Sequence, residues 1–184
     1  MLLTMILREE TPSMDPIRMR RLCQSGLLAA VIFVFTAYLH VPSFNGYIHI
    51  GDAFLYLAAS LLPTGYAAGA GAVGAALADL LTGYAMWAPA TLVIKAATAC
   101  CFTAKAPTFL CRRNFVALLP AFLLCAGGYY LYECAITGNF IAPLAGIPGY
   151  LVQVALSSLV YLLLGRGMDR AGLKRRLVSL EKME

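Results

Sequence analysis

The chain alternates between long apolar runs and short polar breaks, and the runs are continuous over helical lengths rather than alternating residue by residue. Membrane barrels need weakly alternating strands of about ten residues, so these runs predict helices. The first covers residues 22–39, ends at His40, Val41 and Pro42, and carries the overlapping small-residue pairs Ser25/Ala29 and Gly26/Ala30, which suit close helix contact. After the loop VPSFNGYIHI a second run starts at Gly51-Asp52 and breaks at Pro63-Thr64-Gly65. Such a segment reaches only about 18 Å, so it is short, tilted or continued around the proline. A third run, residues 67–81, is Gly- and Ala-rich, as suits a helix buried among helices. Runs at 90–103, 115–136 and 149–164 follow. The expected fold is all-α and integral to the membrane, a compact bundle of six transmembrane helices.

Composition supports that class. The chain is 61% hydrophobic and 12% charged, with a mean hydropathy of +0.78, whereas soluble domains are about half apolar and about a quarter charged. An ordinary soluble domain, a disordered tail, a collagenous segment and a disulfide scaffold are excluded. At about 20 residues per span, the length holds about five to seven spans in one domain. Residues 1–16 lack a secretory signal and read as a mobile cytoplasmic leader or short interfacial helix. Residues 17–165 form the membrane domain, and 166–184 a basic amphipathic cytoplasmic tail at the membrane surface.

Of the 14 Lys and Arg, four precede the first run, three flank the connection between the fourth and fifth, six follow the last, and only Lys95 lies within a run. With six spans all three clusters share one face, which the positive-inside rule assigns to the cytoplasm together with both termini. The net charge of +5 then reflects this asymmetry and attraction to the anionic lipid bilayer, with no call for nucleic acid.

The opposite face carries Phe44, Tyr47, His49, Tyr84, Trp87, Phe140 and Tyr150, either an aromatic belt or the wall of a pocket. Asp52, Asp79, Lys95, Glu133 and Gln153 lie at a similar depth in the outer half of the spans. An ionisable group costs about 2.5–3.5 kcal/mol at a helix centre, so four of them imply mutual pairing or a wet cavity. Asp79 and Lys95 could form a structural ion pair, and Asp52 could cap its helix. Together the groups favour a pocket open to the outside, with aromatic walls and a few orienting polar groups. The candidate substrate-binding residues are Asn45, Tyr47, His49, Asp52, Tyr84, Trp87, Lys95, Tyr130, Glu133, Asn139 and Gln153. No HExxH, GxSxG, Walker A or CxxC motif occurs, so neither a catalytic residue, a metal site nor a bound cofactor is expected.

The block His49-Ile50-Gly51-Asp52, the Gly/Ala-rich helix ending Ala78-Asp79-Leu80-Leu81-Thr82-Gly83-Tyr84, and Ala88-Pro89-Ala90-Thr91-Leu92-Val93-Ile94-Lys95 resemble the substrate-binding S components of energy-coupling factor (ECF) transporters. The likeness covers residues 18–165 and lies closest to the B-vitamin and vitamin-precursor branch. It implies a multi-pass subunit of a prokaryotic plasma membrane that captures a micronutrient from outside. Partners would be a transmembrane coupling subunit and two cytoplasmic ATPases, which alone use ATP, and the family is thought to topple in the membrane. Contact with the coupling subunit would fall on Ser25, Gly26, Ala29 and Ala30. Trp87 and Tyr84 could stack on a flat ring, and Lys95 or Glu133 could pair with its substituents. That favours hydroxymethylpyrimidine or pyridoxine, with pantothenate open through Lys95. Two rival readings are a small integral-membrane enzyme acting on a lipid or isoprenoid through Asp52, Asp79 or Glu133, and a ligand-free structural subunit.

Overall fold

The structure, a computed structural model, describes residues 15–43 and 46–181. Most of the expected leader and the candidate Asn45 therefore lie outside the described residues. Helix α1 (Pro16–Ala37) starts where Asp15 accepts a hydrogen bond from the Ile17 N–H at 3.1 Å and Pro16 occupies the first turn. Its 22 residues rise about 33 Å, the thickness of a bilayer core.

The connection read as a loop is instead an antiparallel hairpin, β1 (His40–Ser43) and β2 (Gly46–His49), with His40 opposite His49 and Pro42 opposite Tyr47. Four-residue strands are too short for an alternation to be legible. Helix α2 (Gly51–Leu61) ends before the proline rather than passing it. Leu62 is extended because a residue preceding proline is pushed out of the helical region. Almost all of α2 is buried, which suits a helix apolar on every side.

Helix α3 (Thr64–Leu81) runs beside α1 at very short range. A Cβ on Gly74 would overlap the Ala29 carbonyl oxygen and lie 3.2 Å from Ala29 C and Cα. Gly83, at φ +89°, turns the chain into the short 3-10 turn Ala85–Trp87 and α4 (Ala88–Cys101). The fifth expected helix is two segments, α5 (Arg112–Val116) and α6 (Leu118–Thr137), the second ended by Gly138 at φ +65°. A 3-10 turn at Ala142–Gly146 leads into α7 (Ile147–Arg170), which is longer than its apolar run.

Among the described residues three helical stretches, Pro16–Ala37, Arg112–Thr137 and Ala142–Arg170, are long and apolar enough to cross a membrane, and Gly51–Leu61 and Ala85–Cys101 are shorter apolar helices. The outward faces are apolar, with Leu27, Val93, Leu119, Leu131 and Leu163 all more than 60% exposed, while Asp52, Lys95 and Gln153 are buried. An apolar exterior around a polar interior is what a lipid solvent selects, and it marks an integral membrane protein.

At the end of the bundle that carries the described chain ends, Asn114 is fully buried. It accepts from the Thr103 N–H at 2.8 Å and donates to Ser60 Oγ at 3.1 Å. Asp169 accepts from the N–H groups of Phe109 and Leu110. The basic tail folds back as α8 (Leu173–Glu181), so that Lys174 donates to the Ser60 carbonyl at 2.6 Å and lies over the Phe109 ring. The tail is thus tied into the bundle, and burial lowers the Lys174 ammonium from its ordinary value.

Candidate ligand-binding cleft

The hairpin end of the bundle holds a cleft lined by Thr36 of α1, Gly46, Tyr47 and His49 of β2, Ala75 and Asp79 of α3, Trp87, Thr91 of α4, Tyr129 of α6, and Tyr150 and Gln153 of α7. Its empty space is about 390 Å³, counting the open mouth. The walls are aromatic. Tyr129 and Tyr150 stack with centroids 5.3 Å apart, and Trp87 meets Tyr129 edge-on at 6.0 Å.

Beneath the walls the polar groups form two connected sets. In the first, Asp79 accepts from the Tyr47 hydroxyl through Oδ1 and from the Thr91 hydroxyl through Oδ2, both at 2.5 Å. Because the Thr91 proton is committed to Asp79, the Tyr129 hydroxyl is the donor in its 2.9 Å contact with Thr91. The hairpin is thereby anchored to α3, and α3 through α4 to α6.

In the second set Lys95 lies 2.6 Å from Asp52 Oδ1, and Gln153 Nε2 donates to Asp52 Oδ2 at 2.9 Å. All three are 3% exposed or less. Asp79 is therefore not the partner of Lys95. Asp52, although in the first turn of α2, places its carboxylate on side chains of α4 and α7 rather than on capping, and the N-cap residue Ile50 supplies no side-chain bond. The rotation of α4 about its axis decides this, since it carries Thr91 toward Asp79 and Lys95, about a turn on, toward Asp52.

His49 is buried at the edge of the cleft. Its Nδ1 accepts from the Gly51 N–H at 3.1 Å, and Ser157 donates to its carbonyl at 3.3 Å. Burial pushes the imidazole down to about 4, so it is neutral near pH 7. A Cβ at Gly51 would lie 3.2 Å from both His49 Nδ1 and the Ile32 carbonyl oxygen and would overlap Thr36 Oγ1, so only glycine lets the hairpin root seat on α1.

The structure brings Tyr47, His49, Trp87 and Gln153 together at the cleft and sets Asp52 and Lys95 behind Gln153. The other candidates fall elsewhere. Tyr84 packs on the Tyr47 ring with centroids 4.5 Å apart, outside the lining. Tyr130 points away and donates to the Phe140 carbonyl at 3.0 Å. Glu133 is buried but does not line the cleft. Asn139 is exposed, and its side chain accepts from the Ile141 and Ala142 N–H groups at 2.8 and 3.1 Å, shaping its own loop.

Thr36, Thr91 and Tyr129 were not among the sequence candidates. For Tyr129 a signal existed: the small residues Ala121 and Cys125 precede it at four-residue spacing and mark the buried face of α6, from which Tyr130 is turned away. On α1, Ser25 donates to the Tyr66 carbonyl at 2.9 Å and Ala29 abuts Gly74, so both face α3. Gly26 and Ala30 face outward. Among the described residues no three His, Cys, Asp or Glu side chains stand together as metal ligands.

The family model described as ECF-type riboflavin transporter, S component, matches residues 17–170. The chain belongs to that family. No curated protein matches it significantly. ECF S components are substrate-binding transporter subunits that work with an energy-coupling module and bind small vitamin-like molecules. Membership displaces the membrane-enzyme reading and agrees with the likeness seen in residues 49–95.

Proposed function

We propose that this S component captures a flat heteroaromatic vitamin from outside the cell, with riboflavin the first candidate and a smaller ring such as pyridoxine or hydroxymethylpyrimidine the alternative. The observation that carries the reading is the cleft itself: Trp87, Tyr129, Tyr150 and Tyr47 form its aromatic walls over a floor of Thr91, Asp79 and Gln153, in a chain of this family. The family's description favours the larger ring. Pantothenate loses its anchor, because the Lys95 ammonium is spent on Asp52 and is 2% exposed.

In this reading the chain crosses the plasma membrane six times with both termini cytoplasmic, α2 and α4 being short spans. Residues 17–165 are the binding domain, residues 1–16 a cytoplasmic leader, and the basic segment from residue 166 a cytoplasmic tail. A transmembrane coupling subunit and two ATPases supply the energy, and this chain uses no cofactor of its own. The outward stripe around Gly26 and Ala30 is the candidate coupling surface, flanked by Leu22 and Leu27.

The test is purification in mild detergent, mass spectrometry of any co-purifying small molecule, and titration with riboflavin followed by quenching of flavin fluorescence. Stoichiometric quenching is expected. Trp87→Ala should weaken binding by about 1–3 kcal/mol, the range for stacking a heteroaromatic base on an aromatic side chain. Absence of binding across riboflavin and the smaller ring vitamins refutes the reading.

A further inference from the structure

Two side chains at the cleft have their hydrogen-bonding sense fixed by groups behind them. Asp52 is an acceptor, so the amide edge that Gln153 presents to it at 2.9 Å is the NH₂ edge. Gln153 Oε1 is left for the cleft, and among the described residues nothing donates to it. His49 accepts the Gly51 N–H on Nδ1, so its proton sits on Nε2, which has no partner among the described residues. Helix α7 and strand β2 sit side by side here, since Ser157, one turn beyond Gln153, donates to the His49 carbonyl. Thr36 Oγ1, in the same lining, is buried with no hydrogen-bond partner among the described residues. The cleft therefore presents a fixed acceptor, a fixed donor and an unsatisfied hydroxyl.

We propose that Asp52 and Lys95 are positioning residues that lock Gln153 as an acceptor, so that the cleft selects a ring whose edge carries an N–H beside a C=O. The ring N–H donates to Gln153 Oε1, and the carbonyl accepts from His49 Nε2–H. A cyclic amide or imide has that edge, and a pyridine ring does not. Lys95 never touches the ligand; it holds the carboxylate that orients the amide. This rests on the heteroaromatic-vitamin reading and narrows it.

The experiment compares riboflavin with its N3-methyl derivative, in which the imide N–H is replaced by N–CH₃, on the full chain in detergent. Wild type should prefer riboflavin on the order of tenfold to a hundredfold, the cost of leaving a buried acceptor unsatisfied. In the paired variant Asp52→Asn/Lys95→Met the amide is free to turn. Riboflavin should weaken, the methylated flavin should not, and the ratio should drop on the order of tenfold. A merely structural pair would weaken both ligands alike, and an unchanged ratio overturns the proposal. Gln153→Met, which keeps the ion pair, should lower the ratio similarly, and an unchanged ratio there overturns it as well. No binding of either flavin overturns the flavin reading and this inference together, a result distinct from binding with no discrimination.

Discussion

Gly74→Ala tests how tightly α1 and α3 must approach for the cleft to exist. The added methyl would overlap the Ala29 carbonyl oxygen and stand 3.2 Å from Ala29 C and Cα, all backbone atoms of a helix that cannot swing aside. Ordinary contacts between carbons lie at about 3.5–4.0 Å, so the helices must separate by a few tenths of an ångström or more. Overpacking of this kind costs about 1–3 kcal/mol, partly offset by at most about 1 kcal/mol of helix propensity gained over glycine. Gly69→Ala on the same helix is the control, because a Cβ there meets nothing within 4 Å. For a chain of this size each kcal/mol shifts the melting temperature by about 2–4 °C. Thermal unfolding in mild detergent, followed by near-UV circular dichroism, should place Gly74→Ala several degrees below Gly69→Ala. Asp79, little more than a turn beyond Gly74, anchors Tyr47, so Gly74→Ala should also weaken ligand binding while Gly69→Ala does not. Equal melting temperatures for the two variants would show that the close approach is not what holds these helices.

Further outcomes follow from the buried polar groups. Lys95→Met alone leaves the Asp52 carboxylate buried without its counter-charge, and should cost about 3–5 kcal/mol in denaturant unfolding. The paired Asp52→Asn/Lys95→Met variant should recover most of that loss, and no recovery would refute the ion-pair reading. His49 is held at about 4 against an ordinary value of 6.5, so below 6.5 the unfolded chain takes a proton that the folded chain refuses. Stability should be insensitive to this group above pH 6.5 and fall between 6.5 and 4, by at most about 1.4 kcal/mol per pH unit. His49→Gln should flatten that part of the pH–stability profile. Lys174→Ala removes a charge-assisted hydrogen bond to the Ser60 carbonyl, worth about 1.5–3 kcal/mol. Hydrogen exchange should rise across α8, with ligand affinity at the far end of the bundle unchanged.

The apolar runs located every long helix, although α1 starts at Pro16, ahead of its run, and α7 continues to Arg170, beyond its run, and the likeness across residues 49–95 pointed to the right family. The hairpin escaped because two strands of four residues leave no period to read. Asp79 and Lys95 flank one turn, which made them natural partners on paper. Yet Lys95 meets Asp52, and Asp79 takes Tyr47 and Thr91. Likewise adjacent Tyr129 and Tyr130 are equivalent by composition, but one stacks on Tyr150 in the cleft while the other donates to a loop carbonyl.

Hydropathy along the chain was enough to fix its solvent, a lipid bilayer. Hydropathy accumulates locally along the chain, and a bilayer responds to that sum whatever the helices later touch. Which polar group meets which was decided only by the tertiary structure. Partners depend on helix rotation and on crossing distances as small as a missing methyl at Gly74, and these emerge when all the helices pack at once.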